Sequence, residues 1–326
     1  MRTGLKITAF AAGVTVTFGA AYGVGAAVGP GESRAHAARD SAAHAAQAPG
    51  AKQPGHGTTG AAPAAGGLQV SERGYSLVLD TPRVAAGDRV PLRFSIRDAG
   101  GRKVTAYTRQ HDREMHLIVA SRDLSVYRHL HPSRAADGTW STTADLPDAG
   151  GYRAFADFRP AGKGAEALTL GADLAVSGDY APAPLPAPSR TAVVDGYEVT
   201  LTGGLTPGRS AGLLLNVARN GRPVTDLQPY LGAYGHLVVL RSGDLAHLHV
   251  HPNGGPGDGS TRPGPQVSFT ATAPSTGTYR VFLDFQHDGK VRTAAFTVEA
   301  ARPDEAGRTA PPPGGHAEQE APGHAH

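Results

Sequence analysis

The sequence contains one segment twice. Met115 to Pro132 reads MHLIVASRDLSVYRHLHP, and Gly235 to Pro252 reads GHLVVLRSGDLAHLHVHP. Three histidines and the closing proline keep the same spacing in both copies: His116, His129, His131 and Pro132 in the first, and His236, His249, His251 and Pro252 in the second. An internal duplication constrains the fold strongly, because each copy must form the same structural unit.

The duplication extends beyond the histidines. The string Tyr-Arg-x-Phe-x-Asp-Phe begins at Tyr152 and again at Tyr279, and the longer loop after Pro252 explains the larger offset there. We predict two tandem domains with the following boundaries: a signal peptide or signal anchor over 1–28, a disordered tether over 29–66, repeat 1 over 67–178, a Pro-rich linker over 179–190, repeat 2 over 191–300, and a disordered histidine-containing tail over 301–326.

Each copy is expected to be all-β. Gly 44 and Pro 26, with only 18% charged residues, favour short strands and turns over amphipathic helices. Apolar residues alternate with polar ones at Leu92, Phe94 and Ile96, which is the period of a half-buried strand. About seven strands in about 110 residues predict an antiparallel β-sandwich of immunoglobulin-like or cupredoxin-like type.

The N-terminus predicts export. Arg2 and Lys6 precede 22 residues, from Ile7 to Val28, that carry no charged side chain. Such a segment is either an uncleaved transmembrane anchor or a cleaved signal peptide, with a candidate cleavage site at 35–37. We therefore expect a cell-membrane protein with extracellular domains, or alternatively a secreted one, with the membrane as a partner through the N-terminal helix.

The composition excludes several functions. A net charge of +3 without a basic cluster argues against nucleic acid as a partner. The absence of cysteine removes disulfides, thiolate zinc sites and iron–sulfur clusters. No nucleophile, phosphate-loop or dinucleotide motif is present, and we predict that the chain is not an enzyme.

The repeated histidines are expected on one face of a hairpin. Apolar runs flank Ser242-Gly243 in the second copy and Arg122-Asp123 in the first, and both positions are read as two-residue turns. Counting outward from such turns opposes the first and second histidines across the strands, and the third histidine follows on the same face. The expected opposed pairs are His116 with His129, and His236 with His249.

Three imidazoles on one face can coordinate a divalent transition metal, Cu(II) or Zn(II). Asp157 and Asp284 of the repeated strand are further candidates. Each is either a metal ligand, a carboxylate that orients a histidine, or the ion-pair partner of the arginine four residues before it. His247 is an extra histidine that only the second copy has. His111 and His287 are expected to be solvated. The predicted metal residues are His116, His129, His131, His236, His249, His251, Asp157, Asp284 and His247.

A structural interpretation stays open beside the metal site. Histidines at the end of a strand also hydrogen-bond a neighbouring loop, with no ion involved. The first hypothesis is a cell-envelope protein that binds metal in each domain for sequestration or delivery. The alternative is a non-metal Ig-like module that contacts another envelope protein or the cell wall.

The strings HLHP and HVHP, followed by YRAFADF and YRVFLDF, resemble a family of exported, often actinobacterial, proteins. Members carry paired Ig-like or cupredoxin-like sandwiches and sometimes occur beside heavy-metal-binding modules. The resemblance covers about Leu68 to Ala300. It implies an envelope location and a connection to copper or another heavy metal. The chain departs from periplasmic copper carriers in lacking their methionine-rich ligands.

Overall fold

The computed structural model describes residues 65–248 and 250–301. Every regular element in these ranges is a β-strand. Repeat 1 contains β1 (Ser71–Glu72), β2 (Tyr75–Leu79), β3 (Arg83–Ala85), β4 (Gly87–Arg97), β5 (Tyr107–Thr108), β6 (Met115–Ser121), β7 (Tyr127–Leu130), β8 (Ser133–Arg134), β9 (Trp140–Leu146), β10 (Gly150–Pro160) and β11 (Leu168–Ser177). Repeat 2 contains β12 (Thr191–Val194), β13 (Tyr197–Gly203), β14 (Ser210–Arg219), β15 (Arg222–Pro223), β16 (His236–Arg241), β17 (His247–Leu248), β18 (Val250–Pro252), β19 (Gln266–Thr272), β20 (Gly277–His287) and β21 (Lys290–Ala300).

Both repeats are two-sheet sandwiches with the same strand order, except that β3 adds an edge strand to one sheet of repeat 1. One sheet of repeat 1 runs β1-β2-β4-β9-β8 and the other β3-β11-β10-β6-β7, with β5 paired to β10. Repeat 2 has β12-β13-β14-β19-β18 and β17-β16-β20-β21. In the letters of the immunoglobulin fold, strands A, B, E and D of repeat 1 are β2, β4, β9 and β8, and strands G, F, C and C′ are β11, β10, β6 and β7. The corresponding strands of repeat 2 are β13, β14, β19 and β18, and β21, β20, β16 and β17. The predicted all-β tandem sandwich is confirmed, and its topology is immunoglobulin-like.

A separate core lies between the two sheets of each repeat. In repeat 1 the alternating Leu92, Phe94 and Ile96 all belong to this core, at 5%, 1% and 0% exposure. The equivalent residues of β14 in repeat 2 are buried in the same way. Alternation along the B strand therefore identifies its core face, as the sequence predicted.

Each repeat also has a tyrosine corner, a hydrogen bond typical of immunoglobulin-like sandwiches. The hydroxyl of Tyr152 donates to the Asp148 carbonyl at 2.8 Å, and that of Tyr279 donates to the Ser275 carbonyl at 2.9 Å. Both rings are almost fully buried. The bond fixes the loop that enters strand F, which in turn positions the aspartate near the far end of that strand.

The histidine-bearing hairpins differ from the sequence prediction in their turns. The Ser121 amide bonds to the Val126 carbonyl, and the Arg241 amide to the Ala246 carbonyl, so each turn contains four residues and not two. The register shifts by two positions as a result. His129 lies opposite Ile118, and the expected direct opposition of His116 and His129 is wrong.

Repeat 1 and repeat 2 pack against each other through their C-C′-F faces. Ile118 and Phe155 meet Val238 and Phe282 in an apolar cluster that is separate from the two sandwich cores. The rings of Tyr127 and Phe282 stack across this interface, with centroids 4.0 Å apart and planes 5° apart. The corresponding pair on the opposite side, His247 with Phe155, has centroids 6.0 Å apart, as approximate two-fold symmetry between repeats requires.

The chain at the start of repeat 1 bonds to both repeats. We call Gly66–Gln69 the strap. Gly66 exchanges two backbone hydrogen bonds of 3.0 Å with His247 of repeat 2, and Gly67 donates to the Thr169 carbonyl of repeat 1 at 2.8 Å. The buried Arg153 donates to the strap carbonyls of Gly67 and Leu68. The strap therefore closes the seam between the repeats.

Replacing Gly171 with alanine should displace the strap. A Cβ at Gly171 would lie 1.9 Å from the Gly67 carbonyl oxygen, and backbone cannot yield as a flexible side chain does. We expect the free energy of unfolding to fall by about 1–3 kcal/mol, the usual cost of overpacking, as measured by denaturant unfolding. Gly212→Ala is the matched control, because a Cβ on that strand glycine meets nothing within 4 Å. Equal losses in both variants would contradict the prediction.

Candidate metal centre

Three histidines of repeat 1 converge at one end of the interface between repeats. His116 lies at the start of β6, His129 on β7 and His131 just beyond it, all on the face turned toward repeat 2. One ring nitrogen from each lies within 4.8 Å of the others. His116 Nδ1 and His129 Nε2 are 3.1 Å apart. The predicted common face is confirmed, although by a different register.

The other nitrogens of two of these rings have fixed partners. His116 Nε2 is 3.1 Å from the Gln110 carbonyl oxygen, and His129 Nδ1 is 2.8 Å from Asp284 Oδ2. A carbonyl and a carboxylate only accept hydrogen bonds, so each of these nitrogens carries the proton. In neutral rings, His116 Nδ1 and His129 Nε2 are then both lone-pair atoms that face each other.

The third ring contributes an unpaired nitrogen. His131 Nε2 is buried and has no hydrogen-bond partner among the residues that the structure describes. Leaving a buried polar atom unsatisfied costs about 1–3 kcal/mol, and such atoms in a folded protein often mark a ligand position. Two facing lone pairs and one unsatisfied nitrogen thus occupy the same small volume.

Burial keeps His116, His131 and the neighbouring His236 neutral. Burial, and then the neighbouring His129, lowers the pKa of His116 to about 4. Burial, followed by His129 and His116, lowers the pKa of His131 to about 3. Burial likewise holds the pKa of His236 well below its ordinary value. Neutral imidazole is the form that binds metal.

Asp284 reaches the cluster from the opposite repeat. It is 2% exposed and accepts from His129 at 2.8 Å, from the Thr293 hydroxyl at 2.5 Å and from the Tyr127 hydroxyl at 3.4 Å. The predicted orienting carboxylate is therefore present, but the histidine that it orients belongs to the other copy. Asp157, its counterpart, lies opposite His116 on the neighbouring strand and accepts from Thr169 at 3.2 Å.

The arginine alternative for these aspartates is wrong. Arg153 pairs with Asp173 and the strap, and not with Asp157. Arg280 is 8% exposed and donates to the Thr297 hydroxyl. Residues four apart on a strand share a face but lie about 13 Å apart along it. Both arginines therefore reach partners on the neighbouring G strand and not the aspartates.

The second copy does not repeat the arrangement on one hairpin. His251 is exposed and lies on β18, which pairs with β19 in the other sheet, so the expected common face of His236 and His251 is wrong. His249 lies outside the described residues. His247 is buried on β17, and its backbone bonds to the strap. His236 instead joins the repeat 1 cluster, with its ring centroid 4.8 Å from that of His129.

Sequence reasoning missed two contributors to the cluster, the Gln110 carbonyl and Tyr127. A backbone carbonyl such as that of Gln110 carries no side-chain signal, and Tyr127 stands where the second copy has His247. His111 is exposed as predicted, yet its ring lies 5.6 Å from that of His236. His287 is buried, contrary to expectation, because it bonds to the Tyr197 hydroxyl and to Asp226.

The fold and the duplicated sequence together define a class: a tandem immunoglobulin-like protein with a histidine cluster between its two sandwiches. Residues 69–170 and 192–302 each match one family profile, described as Domain of unknown function (DUF8832). The chain belongs to this family and contains the domain twice. No curated protein matches the chain.

Several solved structures resemble the chain at low identity. They include the Escherichia coli adhesin FdeC, at 14% identity over 71% of this chain and 65% of that one, with a TM-score of 0.22. The Yersinia pseudotuberculosis adhesin InvE matches at 14% over 71% and 60%, and a marsupial T cell receptor at 11% over 69% and 62%, both with a TM-score of 0.22. The chain thus spans less than two thirds of each of these structures.

Proposed function

We propose that this protein binds one divalent transition-metal ion, Cu(II) or Zn(II), in the histidine cluster between its repeats. The ligands are His116 Nδ1, His129 Nε2 and His131 Nε2. Repeat 1 supplies the nitrogens, and Asp284 of repeat 2 orients one of them. The proposal concerns binding for sequestration or delivery, and not catalysis.

The observation that carries this proposal is the 3.1 Å approach of His116 Nδ1 to His129 Nε2. Their outer partners place the protons elsewhere, so two neutral rings cannot form a hydrogen bond with each other. A cation between the two lone pairs converts this contact into coordination. A carboxylate or carbonyl behind each ligating imidazole is the usual arrangement in protein metal sites.

The spacing of the rings also supports the proposal. With metal–nitrogen bonds of about 2.0–2.1 Å, tetrahedral coordination sets ring centroids roughly 5 Å apart. The centroids of His116, His129 and His131 are 4.9 to 5.3 Å apart. Small rotations of rings already in place would bring the more distant nitrogens, now within 4.8 Å, to bonding positions.

The ligand chemistry favours particular ions. Imidazole nitrogen suits Zn(II) and Cu(II), whereas Mg²⁺ and Ca²⁺ prefer oxygen. Asp157 and Asp284 supply two nearby negative charges, one from each repeat, which balance a divalent cation. A cavity of about 150 Å³ lies beside the rings of His116 and His236.

We place the protein in the cell envelope, on the strength of the predicted signal or anchor at 1–28. That segment lies outside the described residues. Within the described ranges there is no helix with the length and apolar character needed to cross a bilayer. In this location the metal site would take up an ion outside the cytoplasm.

Metal titration of the full chain tests the proposal. We expect one tight Zn²⁺ equivalent in competition with a chelator, and its loss when His116, His129 and His131 are all replaced by alanine. The matched control replaces three tail histidines, His316, His324 and His326, and should keep that equivalent. Titration at pH 5.5 sharpens the contrast, because ordinary exposed histidines are largely protonated there. An unchanged tight equivalent in the first variant would refute the proposal.

A second candidate is a metal-free interaction module, in which the tandem immunoglobulin-like sandwiches contact another envelope protein or the cell wall. One observation favours it. If His129 is an imidazolium, it donates to Asp284 and to His116 Nδ1, and the contact is satisfied without an ion. Absence of any tight equivalent in the native protein would select this candidate.

A further inference from the structure

His236 is the only one of the second copy's three repeated histidines that is in ring contact with the repeat 1 cluster among the described residues. Its centroid is 4.8 Å from that of His129 and 5.6 Å from that of His116, whose plane is nearly parallel to it. One distance is slightly shorter and the other slightly longer than the roughly 5 Å between the centroids of two imidazoles that bind the same tetrahedral ion. In the structure, His236 lies outside the group of nitrogens within 4.8 Å, so coordination requires its ring to move toward the other three.

We infer that His236 supplies the fourth nitrogen of the proposed site, so that ion binding latches repeat 2 onto repeat 1. This inference rests on the proposed function and extends it from a site within one repeat to a bridge between two. A closed four-coordinate sphere is typical of structural zinc sites, whereas catalytic zinc keeps an open position.

The location of the cluster makes the coupling direct. The histidines lie at one end of the apolar interface that contains the Tyr127–Phe282 stack. His129 is bound to Asp284 of the other repeat with both side chains 3% exposed, so separating the repeats would remove the carboxylate that orients this ligand. Separation would also withdraw His236. An ion that binds the docked form more tightly must stabilise docking by the same factor.

The first test compares His236→Ala with the matched His111→Ala. Both remove an imidazole near the cluster, but His111 is exposed. With the tight site loaded with Co²⁺, His236→Ala should weaken binding about 10- to 100-fold and change the tetrahedral visible absorption, while His111→Ala leaves both unchanged. His236→Gln checks the result if the alanine variant unfolds. If metal binding is lost in the triple repeat 1 variant but unchanged in both His236 variants, His236 is not a ligand and the inference is overturned. The proposed function would still stand in that case.

The second test measures docking directly. The chain has no cysteine, so a single introduced thiol reports local opening. Ala120→Cys places it in the interface between repeats, and Ala144→Cys places it in the core of repeat 1 as the control. Saturating Zn²⁺ should slow maleimide labelling at position 120 on the order of tenfold, within the usual range of coupling between sites, and leave position 144 unchanged. Equal labelling at position 120 with and without Zn²⁺, while the tight equivalent is present, would overturn the inference.

Discussion

Asp284→Asn is expected to weaken metal binding by about 10- to 100-fold, the usual effect of removing the group that orients a ligating histidine. The asparagine keeps the size of the side chain but loses the negative charge. A carboxylate only accepts hydrogen bonds, whereas an amide can also donate, so asparagine no longer holds the proton of His129 on Nδ1. A proton on Nε2 would prevent that nitrogen from binding the metal. Isothermal titration or chelator competition measures the change.

The pseudo-symmetric Asp157→Asn is the matched control for this experiment. Asp157 lies opposite His116 as Asp284 lies opposite His236, and each accepts from a threonine of the next strand. Only Asp284 bonds to His129. We expect a much smaller loss for Asp157→Asn, because it removes charge without releasing a ligand. Equal losses would show that the two carboxylates act only through long-range charge.

Acidification should begin to destabilise the metal-free protein at pH values well above those at which carboxylates titrate. The pKa of His116 is lowered to about 4 in the folded protein, whereas an unfolded histidine has a pKa of about 6.5. Between these two pH values the unfolded chain therefore binds a proton at His116 that the folded protein does not bind. Stability is therefore complete above pH 6.5 and falls as the pH drops toward 4. His116 alone accounts for about 1.4 kcal/mol per pH unit, or about 2–3 kcal/mol by pH 4.5.

Denaturant unfolding at several pH values measures this effect, and the slope of stability against pH reports the difference in bound protons. His116→Asn should lower the slope between pH 6.5 and 4.5 by roughly one proton, whatever it does to absolute stability. His131 and His236 have pKa values lowered in the same direction and add to the slope of the native protein. A stability that does not change over this interval would contradict the burial of neutral imidazoles.

The sandwich architecture was predictable because it depends on local patterns. Alternation along Leu92, Phe94 and Ile96 gave the core face of a strand, and the repeated string from Tyr152 and from Tyr279 marked equivalent strands. The common face of the repeat 1 histidines followed from the two-residue period of a strand. Each of these features is determined within a few residues of sequence.

The hairpin register was not predictable from the same information. Ser242-Gly243 resembles a two-residue turn, but the chain uses four residues, with Leu124 and Leu245 at φ of 58° and 62°. Leucine rarely adopts this conformation, so no propensity indicates it. In repeat 1 the turn is held by Asp123, whose Oδ1 accepts from the Ser121 and Ser125 hydroxyls.

One strand of the sequence does indicate that the repeats pack against each other. The run MHLIVAS forms β6 and is buried at every position, without the alternation of a strand that has one solvated face. Met115, Leu117 and Val119 face the sandwich core, whereas Ile118 and Ala120 face repeat 2. The sequence showed that a second face needed cover, but it did not show that the other copy provides it.

The path of the strap has a mechanical consequence. Tension applied to the chain ahead of residue 65 reaches the Gly66–His247 bonds of repeat 2 and the Gly67–Thr169 bond of repeat 1 together. The force therefore acts on both repeats at once, at the strap. It does not pass first through repeat 1 and then through the linker 179–190 to repeat 2. A pull from the N-terminal side is first resisted at the strap, beside the strand that carries His247.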